Sequence, residues 1–486
     1  MNHDHPPPDR LGTVQFENSC ANAVQADFLR AVALLHSFAY AAAAQTFAAV
    51  AQRDPHCAMA QWGMAMSRYH PLWSPPPAAD IVLGRQELER AQGLAARTQR
   101  ERQFITAAAA YFNSDPAATP ASRARAYCQA MAGVARSNPA DTEAQIFYAL
   151  ALLATAPPTD RTHANQKQAA AILEPIYRRQ PDHPGAAHYL IHAYDSSELA
   201  SRGLAAARAY ATIAPAAPHA LHMPSHIYTR LGLWNESIAA NEAARRAAHA
   251  QGDVGEELHA MDYLTYASLQ LGREADAERI VAELRAMGPM LGGDFKVGYA
   301  ATAMPVRLAI ERQRWSDAVA ILPLTDSAPH VAALVHWAHA IAHAHSGDTA
   351  AAARDGEALA ACAARASEAG DHYWAAQIAV LITEAQAASA AAAGNVDSAV
   401  TLARAAADQE DGLEKLPVTP GPIVPAREQL GLLLLDQQQP RQALVELDVA
   451  LKEAPGRRAA LLAAIRAAGV LGDAAAVAGY RAVLEQ

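Results

Sequence analysis

The chain has 486 residues, 52% of them apolar and 18% charged, and carries a formal net charge of −10 at pH 7. It is long enough to bury a large core, while its acidic balance and lack of any Lys/Arg-dense stripe disfavour nucleic acid as a partner. Neither a GxGxxG nor a GxxxxGKS/T loop occurs, which disfavours nucleotide binding of the familiar kinds, and no apolar run approaches the roughly 18 residues of a membrane span.

Residues 1–15, opening with Met1, Asn2 and His3 and a run of prolines, read as a disordered tail. They show no basic n-region and no apolar h-region, so a soluble, cytoplasmic protein is expected. Residues 16–486 read as one superhelical domain, with irregular repeats over 16–140, His-rich repeats over 141–290 and C-terminal repeats over 291–486. Cys20 and Cys57 each open a helical segment one repeat apart. A disulfide or two buried thiols both fit, with thiols favoured by a cytoplasmic setting.

One offset pattern recurs along the chain: a small or aromatic residue, an apolar residue four on, another three on, and proline five further. It appears at Ala43, Phe47, Val50, Pro55; Tyr127, Met131, Val134, Pro139; Ala169, Leu173, Ile176, Pro181; Gly203, Ala207, Tyr210, Pro215; Ala277, Val281, Leu284, Pro289; and Ala443, Leu447, Ala450, Pro455. Positions 0, 4 and 7 form one face of a helix, and the proline stops that helix. This pattern resembles the second helix of the tetratricopeptide repeat (TPR) family. The resemblance implies an all-α, right-handed solenoid of about ten or eleven helix pairs, with the first helix of each pair lining a concave surface. The proline-rich stretches Pro71–Pro77 and Lys415–Pro425 are expected to be loops, and long insertions in a solenoid tend to cover the inner face.

The histidines concentrate in the central repeats. After His183 and Pro184, a helix-starting position, His188, His192 and Asp195 fall within about 60° of one another at 100° per residue. In the next first helix His219, His222 and His226 do the same. The two sets are in repeat register, since 222 − 188 and 226 − 192 both equal 34. Neighbouring first helices are spaced about 10 Å apart, so the two HxxxH pairs face each other, and HxxxH lets both rings reach one ion. His259, Asp262, Tyr263 and Tyr266 share a face of the following first helix, which is the natural source of a further ligand or a carboxylate behind the ligands. The segments around His183–Asp195 and Pro218–Trp234 also resemble uncharacterised bacterial TPR proteins.

These residues point to a metal site with His188, His192, His222 and His226 as core ligands, and His219, Asp195 and His259 as candidates to complete it. Copper is the favoured ion, iron and zinc the alternatives, with six histidines enough for two ions. The expected use is oxidative chemistry on a small molecule held in the concave channel, with Asp262, Tyr263 and Tyr266 as candidate catalytic groups. Zinc-dependent hydrolysis competes with it, and the rival of another class is a non-catalytic scaffold that binds a peptide or protein partner. His336, His339 and His343 form a second i, i+3, i+7 set without a register-matched neighbour. His36, His56, His70 and His372 are isolated and read as structural. Ser225 and His226 are adjacent on a helix and point about 100° apart, so they form no dyad. Asp371, Glu384 and Glu428 read as capping or ion-pair groups, and Trp62, Tyr69, Trp73 and Trp374 as packing residues.

Overall fold

The computed structural model describes residues 10–72, 75–94, 96–290 and 292–485; the amino-terminal tripeptide and Trp73 lie outside them. The described residues form twenty-five α-helices and one short 3-10 helix, with no strand among them. The fold is all-α, built of helices that pack against their neighbours in sequence.

The offset pattern explains how the pairs form. Its eighteen small, aromatic and apolar positions are all buried, with Ala43, Phe47, Val50, Ala169, Leu173, Ala207, Tyr210, Ala443 and Leu447 fully excluded from solvent. Each of its prolines follows a helix end: Arg53, Ser137, Arg179, Ile213, Ala286 and Glu453 are the last helical residues before them. Glycine matters where two helices come closest. A Cβ at Gly63 would lie 2.4 Å from the Phe47 ring, and one at Gly431 would lie 2.6 Å from Leu447.

The contacts gather into two compact units where the sequence reads as one domain: Met1–Asp195 with Leu199–Ile227, and Ser196–Glu198 with Tyr228–Gln486. In the first unit each helix touches its successor, and alternate helices touch as well, as Thr142–Ala154 does Pro184–Ala193. The helix Gln25–His36 also packs on Pro184–Ala193 across a long stretch of chain. An aromatic core holds this unit together: the Phe16 ring lies 5.5 Å from Phe28, 5.3 Å from Trp62 and 5.2 Å from Phe104. The expected tail is therefore packed from residue 10 onward. Leu11, Val14 and Phe16 are buried, Thr13 N–H donates to the Asp182 carbonyl at 3.0 Å, and Ala216 N–H donates to the Arg10 carbonyl at 3.2 Å. Gly12 takes φ +81° there, and a Cβ would lie 2.5 Å from the Asp182 oxygen.

Cys20 and Cys57 form a disulfide with their Cα atoms 4.7 Å apart. The thiol alternative rested on redox setting alone; the geometry brings the two residues together. They are separated by 37 residues, so the chain-entropy account gives the crosslink about 3–4 kcal/mol of stability. Reduction, or Cys20→Ser/Cys57→Ser, is expected to lower the unfolding free energy of the first unit by that amount, read from the shift of its urea transition.

In the second unit the first helices again touch directly, Val254–Gln270 with Phe295–Glu311 and Pro329–His345 with His372–Ala392. The loop within 415–425 covers part of this surface, as expected of an insertion. Arg307 donates from Nη1 to the Pro422 carbonyl at 2.8 Å and from Nη2 to the Gly421 carbonyl at 3.3 Å, and the Tyr263 hydroxyl donates to the Thr419 carbonyl at 3.1 Å. Asp371 caps its helix by accepting from Trp374 N–H, and Glu428 pairs with Arg457, as their sequence setting suggested.

Candidate metal centre

Both HxxxH segments start on a proline at the first turn of a helix. His183 caps the first of them, its Nδ1 accepting from Ala186 N–H at 3.3 Å. The second does not run unbroken. Pro224 has no N–H and its ring crowds the preceding turn, so the expected single helix is split into Pro218–His222 and Pro224–Arg230.

The histidine pairs nevertheless converge. His188 Nε2 lies 3.1 Å from His192 Nε2, and His222 Nε2 lies 3.0 Å from His226 Nε2. In each pair one ring is fixed from behind: His188 Nδ1–H donates to the His36 carbonyl at 2.7 Å, and His226 Nδ1–H donates to Asp195 Oδ2 at 2.9 Å. Those bonds select the tautomer with a lone pair at Nε2. Two nitrogens bound to one ion at about 2.0–2.1 Å sit about 3.0–3.4 Å apart, which is the spacing found.

His219 links the pairs. Its ring is 5.1 Å from His188, 6.5 Å from His192 and 6.1 Å from His222, and the His192 and His226 rings are 5.9 Å apart. His188, His192 and His219 each offer a ring nitrogen, all within 4.8 Å of one another. The five rings are buried. Phe38, held in the left-handed region at φ +55°, lays its ring 4.3 Å from His188 and 5.5 Å from His219, and Tyr210 stacks on His188 at 5.1 Å. Burial first, then the neighbouring His192 and His219, push the His188 pKa well below its ordinary value, so the ring is a neutral donor at pH 7.

A second layer escaped the sequence reading. His36, read as isolated, donates or accepts at both ring nitrogens: Nε2 is 2.8 Å from Glu143 Oε2 and Nδ1 is 3.0 Å from the Tyr189 hydroxyl. Glu143 Oε1 is 3.0 Å from His183 Nε2. No spacing signals this, because 107 residues separate His36 from Glu143. One local sign is Gly185, where a Cβ would lie 2.6 Å from His36 Nδ1. Burial alone would raise the Glu143 pKa, but the charges and hydrogen bonds of His183 and His36 outweigh it and hold the pKa at about 2. A carboxylate whose folded pKa is depressed stabilises fully above its unfolded value of about 4.5 and loses that contribution as pH falls toward 2. The expected loss across that window is about 3 kcal/mol, absent in Glu143→Gln, and acid titration of unfolding free energy measures it.

His259, Asp262, Tyr263 and Tyr266 lie on the helix Val254–Gln270, in the second unit. The His259 ring meets Tyr263 edge-on at 5.4 Å. Asp262 is buried, its Oδ1 3.9 Å from Arg307 Nε, and burial, partly offset by Arg307, raises its pKa to about 6. Tyr263 is engaged with Thr419, and the Tyr266 ring carries Arg307 at 4.6 Å and Arg457 at 5.6 Å over its faces, with Trp234 at 5.4 Å.

No protein-family model and no curated protein matches the chain. Among solved structures it is similar to a monomeric mutant of IFIT1 with Gppp-AAAA, at 11% identity and a TM-score of 0.38 over 88% of this chain and 90% of that one. Human IFIT1 dimer with PPP-AAAA gives 12% and 0.37 over 87% and 88%, and Naa15/Naa10 bound to HypK-THB gives 12% and 0.26 over 95% and 63%. At such scores the likeness supplies nothing about function.

Proposed function

We propose that the first unit is a transition-metal centre carried on a TPR-like helical scaffold. His188, His192 and His219 hold one ion through imidazole nitrogen alone, and His222 with His226, oriented by Asp195, provide the core of a second position. The observation that carries this reading is the pairing of Nε2 atoms at 3.1 and 3.0 Å with a fixed oxygen behind one ring of each pair. Only one ring of each pair has its Nε2 lone pair fixed, so the partner ring supplies either the proton of an imidazole–imidazole hydrogen bond or a second lone pair to a metal ion. An oxygen partner on the far nitrogen is the usual support of a metal-bound histidine.

The donor set favours copper, the strongest binder of the divalent first-row series, over iron and zinc. Copper or iron would supply electron-transfer or oxidative chemistry there, and zinc would polarise water. The Cys20–Cys57 disulfide supports an oxidising compartment over the cytoplasmic one expected from the sequence. No helix among the described residues is long and apolar enough to cross a membrane.

The test is metal content by mass spectrometry on tag-free protein after equal exposure to copper, iron and zinc, beside His188→Ala/His192→Ala. Bound metal in the parent and loss of the equivalent held by His188 and His192 from a variant of unchanged helicity are expected. Metal-free protein in both forms would overturn the reading and favour the scaffold alternative, to be pursued by pull-down of a peptide or protein partner.

A further inference from the structure

The second unit contains a histidine set that the centre described above does not use. His336, His339 and His343 stand at i, i+3 and i+7 on the helix Pro329–His345, hence on one face. The following helix, Thr349–Glu368, packs against it after a short turn and brings Asp355 to that face. Asp355 Oδ1 lies 3.2 Å from His336 Nδ1 and 3.5 Å from His339 Nδ1, and Oδ2 lies 3.8 Å from His343 Nε2. Ring nitrogens of His336 and His339 and an oxygen of Asp355 all fall within 4.8 Å of one another.

The hydrogen bonding of His339 is informative. Its Nε2 is 2.8 Å from the Ile321 carbonyl, which can only accept, so Nε2 carries the hydrogen. With that hydrogen in place, Nδ1 faces the Asp355 oxygen with a lone pair to share, and either a second proton or a metal ion between them resolves the contact. Three imidazoles converge on this one carboxylate, more donors than an ion pair uses. Nitrogen and oxygen ligands of a tetrahedral ion lie about 3.3 Å apart, close to the separations here. The four side chains are 14–25% exposed, so an ion can enter from solvent.

We propose that His336, His339, His343 and Asp355 form a mononuclear site for a borderline divalent cation of the zinc type, separate from the first-unit centre and independent of that reading. Three imidazoles and a carboxylate match zinc's preference for nitrogen and oxygen ligands in fourfold coordination.

The experiment is titration of the chelator-stripped full chain with Zn2+ alone, by calorimetry, with Co2+ substitution as an optical probe of tetrahedral geometry. The variants are Asp355→Asn, a near-isosteric change, and His336→Ala/His343→Ala, each checked for parent helicity. The parent is expected to bind one equivalent that either variant weakens about 100-fold or more, with loss of the visible cobalt band. The same equivalent is expected to survive in His188→Ala/His192→Ala, so the two centres fail separately. Equal zinc stoichiometry and affinity in the parent and both second-unit variants would overturn the proposal, as would a His188→Ala/His192→Ala protein that binds no zinc.

Discussion

His222→Ala/His226→Ala is expected to abolish metal binding at its own pair, and Asp195→Asn to weaken it about 10- to 100-fold with no change in helicity. The two variants probe different parts of one arrangement. The double variant removes the nitrogens that converge at 3.0 Å. Asp195→Asn keeps them and removes the charge behind His226, which sits 2.9 Å from Asp195 Oδ2. That carboxylate makes the ring a better electron donor and holds its Nε2 toward the partner, so an amide of the same shape retains position but not basicity. Competition with a chromophoric chelator reads the affinity of each variant directly. Loss of stability in Asp195→Asn with unchanged metal affinity would make Asp195 a structural group and remove the main support for the second position.

What the sequence shows of this centre is whatever repeats with the helix period. His188 and His222, and His192 and His226, were legible as register-matched pairs because they occupy equivalent positions 34 residues apart. The buried face of each second helix was legible for the same reason. The partners behind these histidines were not. Asp195 shares a helix face with His188 by angle, but its partner is His226, from the next repeat. His36 reaches His188 with its backbone carbonyl, which no side-chain pattern reports. Residues 10–15 were read with the proline-rich tail, although Leu11 and Val14 are apolar and buried. An extended strap has no helical period to detect. The split at Pro224 was foreseeable from its missing N–H, and the fact that His222 and His226 still converge across it was not.

The second unit's interior should respond most strongly to a change at Glu428. Arg457 is fully buried, with Nε and Nη2 on the two oxygens of Glu428 at 2.9 and 2.8 Å and Nη1 on Glu311 at 3.1 Å. Burial disfavours its charge, but Glu311 and Glu428 outweigh that, and its pKa stands well above the ordinary arginine value. The guanidinium therefore cannot escape by losing a proton. Glu428→Leu leaves it with one carboxylate, itself shared with Gln270 Nε2 at 2.9 Å, and the cost of a buried charge stripped of its partner is about 3–5 kcal/mol. Replacing both members, Glu428→Leu/Arg457→Met, removes the stranded charge together with the pair and is expected to recover most of the loss, since apolar groups of similar volume often substitute for a buried ion pair without net destabilisation. Urea unfolding of both variants measures the difference. A single variant that loses less than about 1 kcal/mol would show that water reaches Arg457, whereas a double variant as unstable as the single would show that the pair fixes the turn at Pro455–Arg457, where Gly456 accepts from Trp234 Nε1 at 3.1 Å.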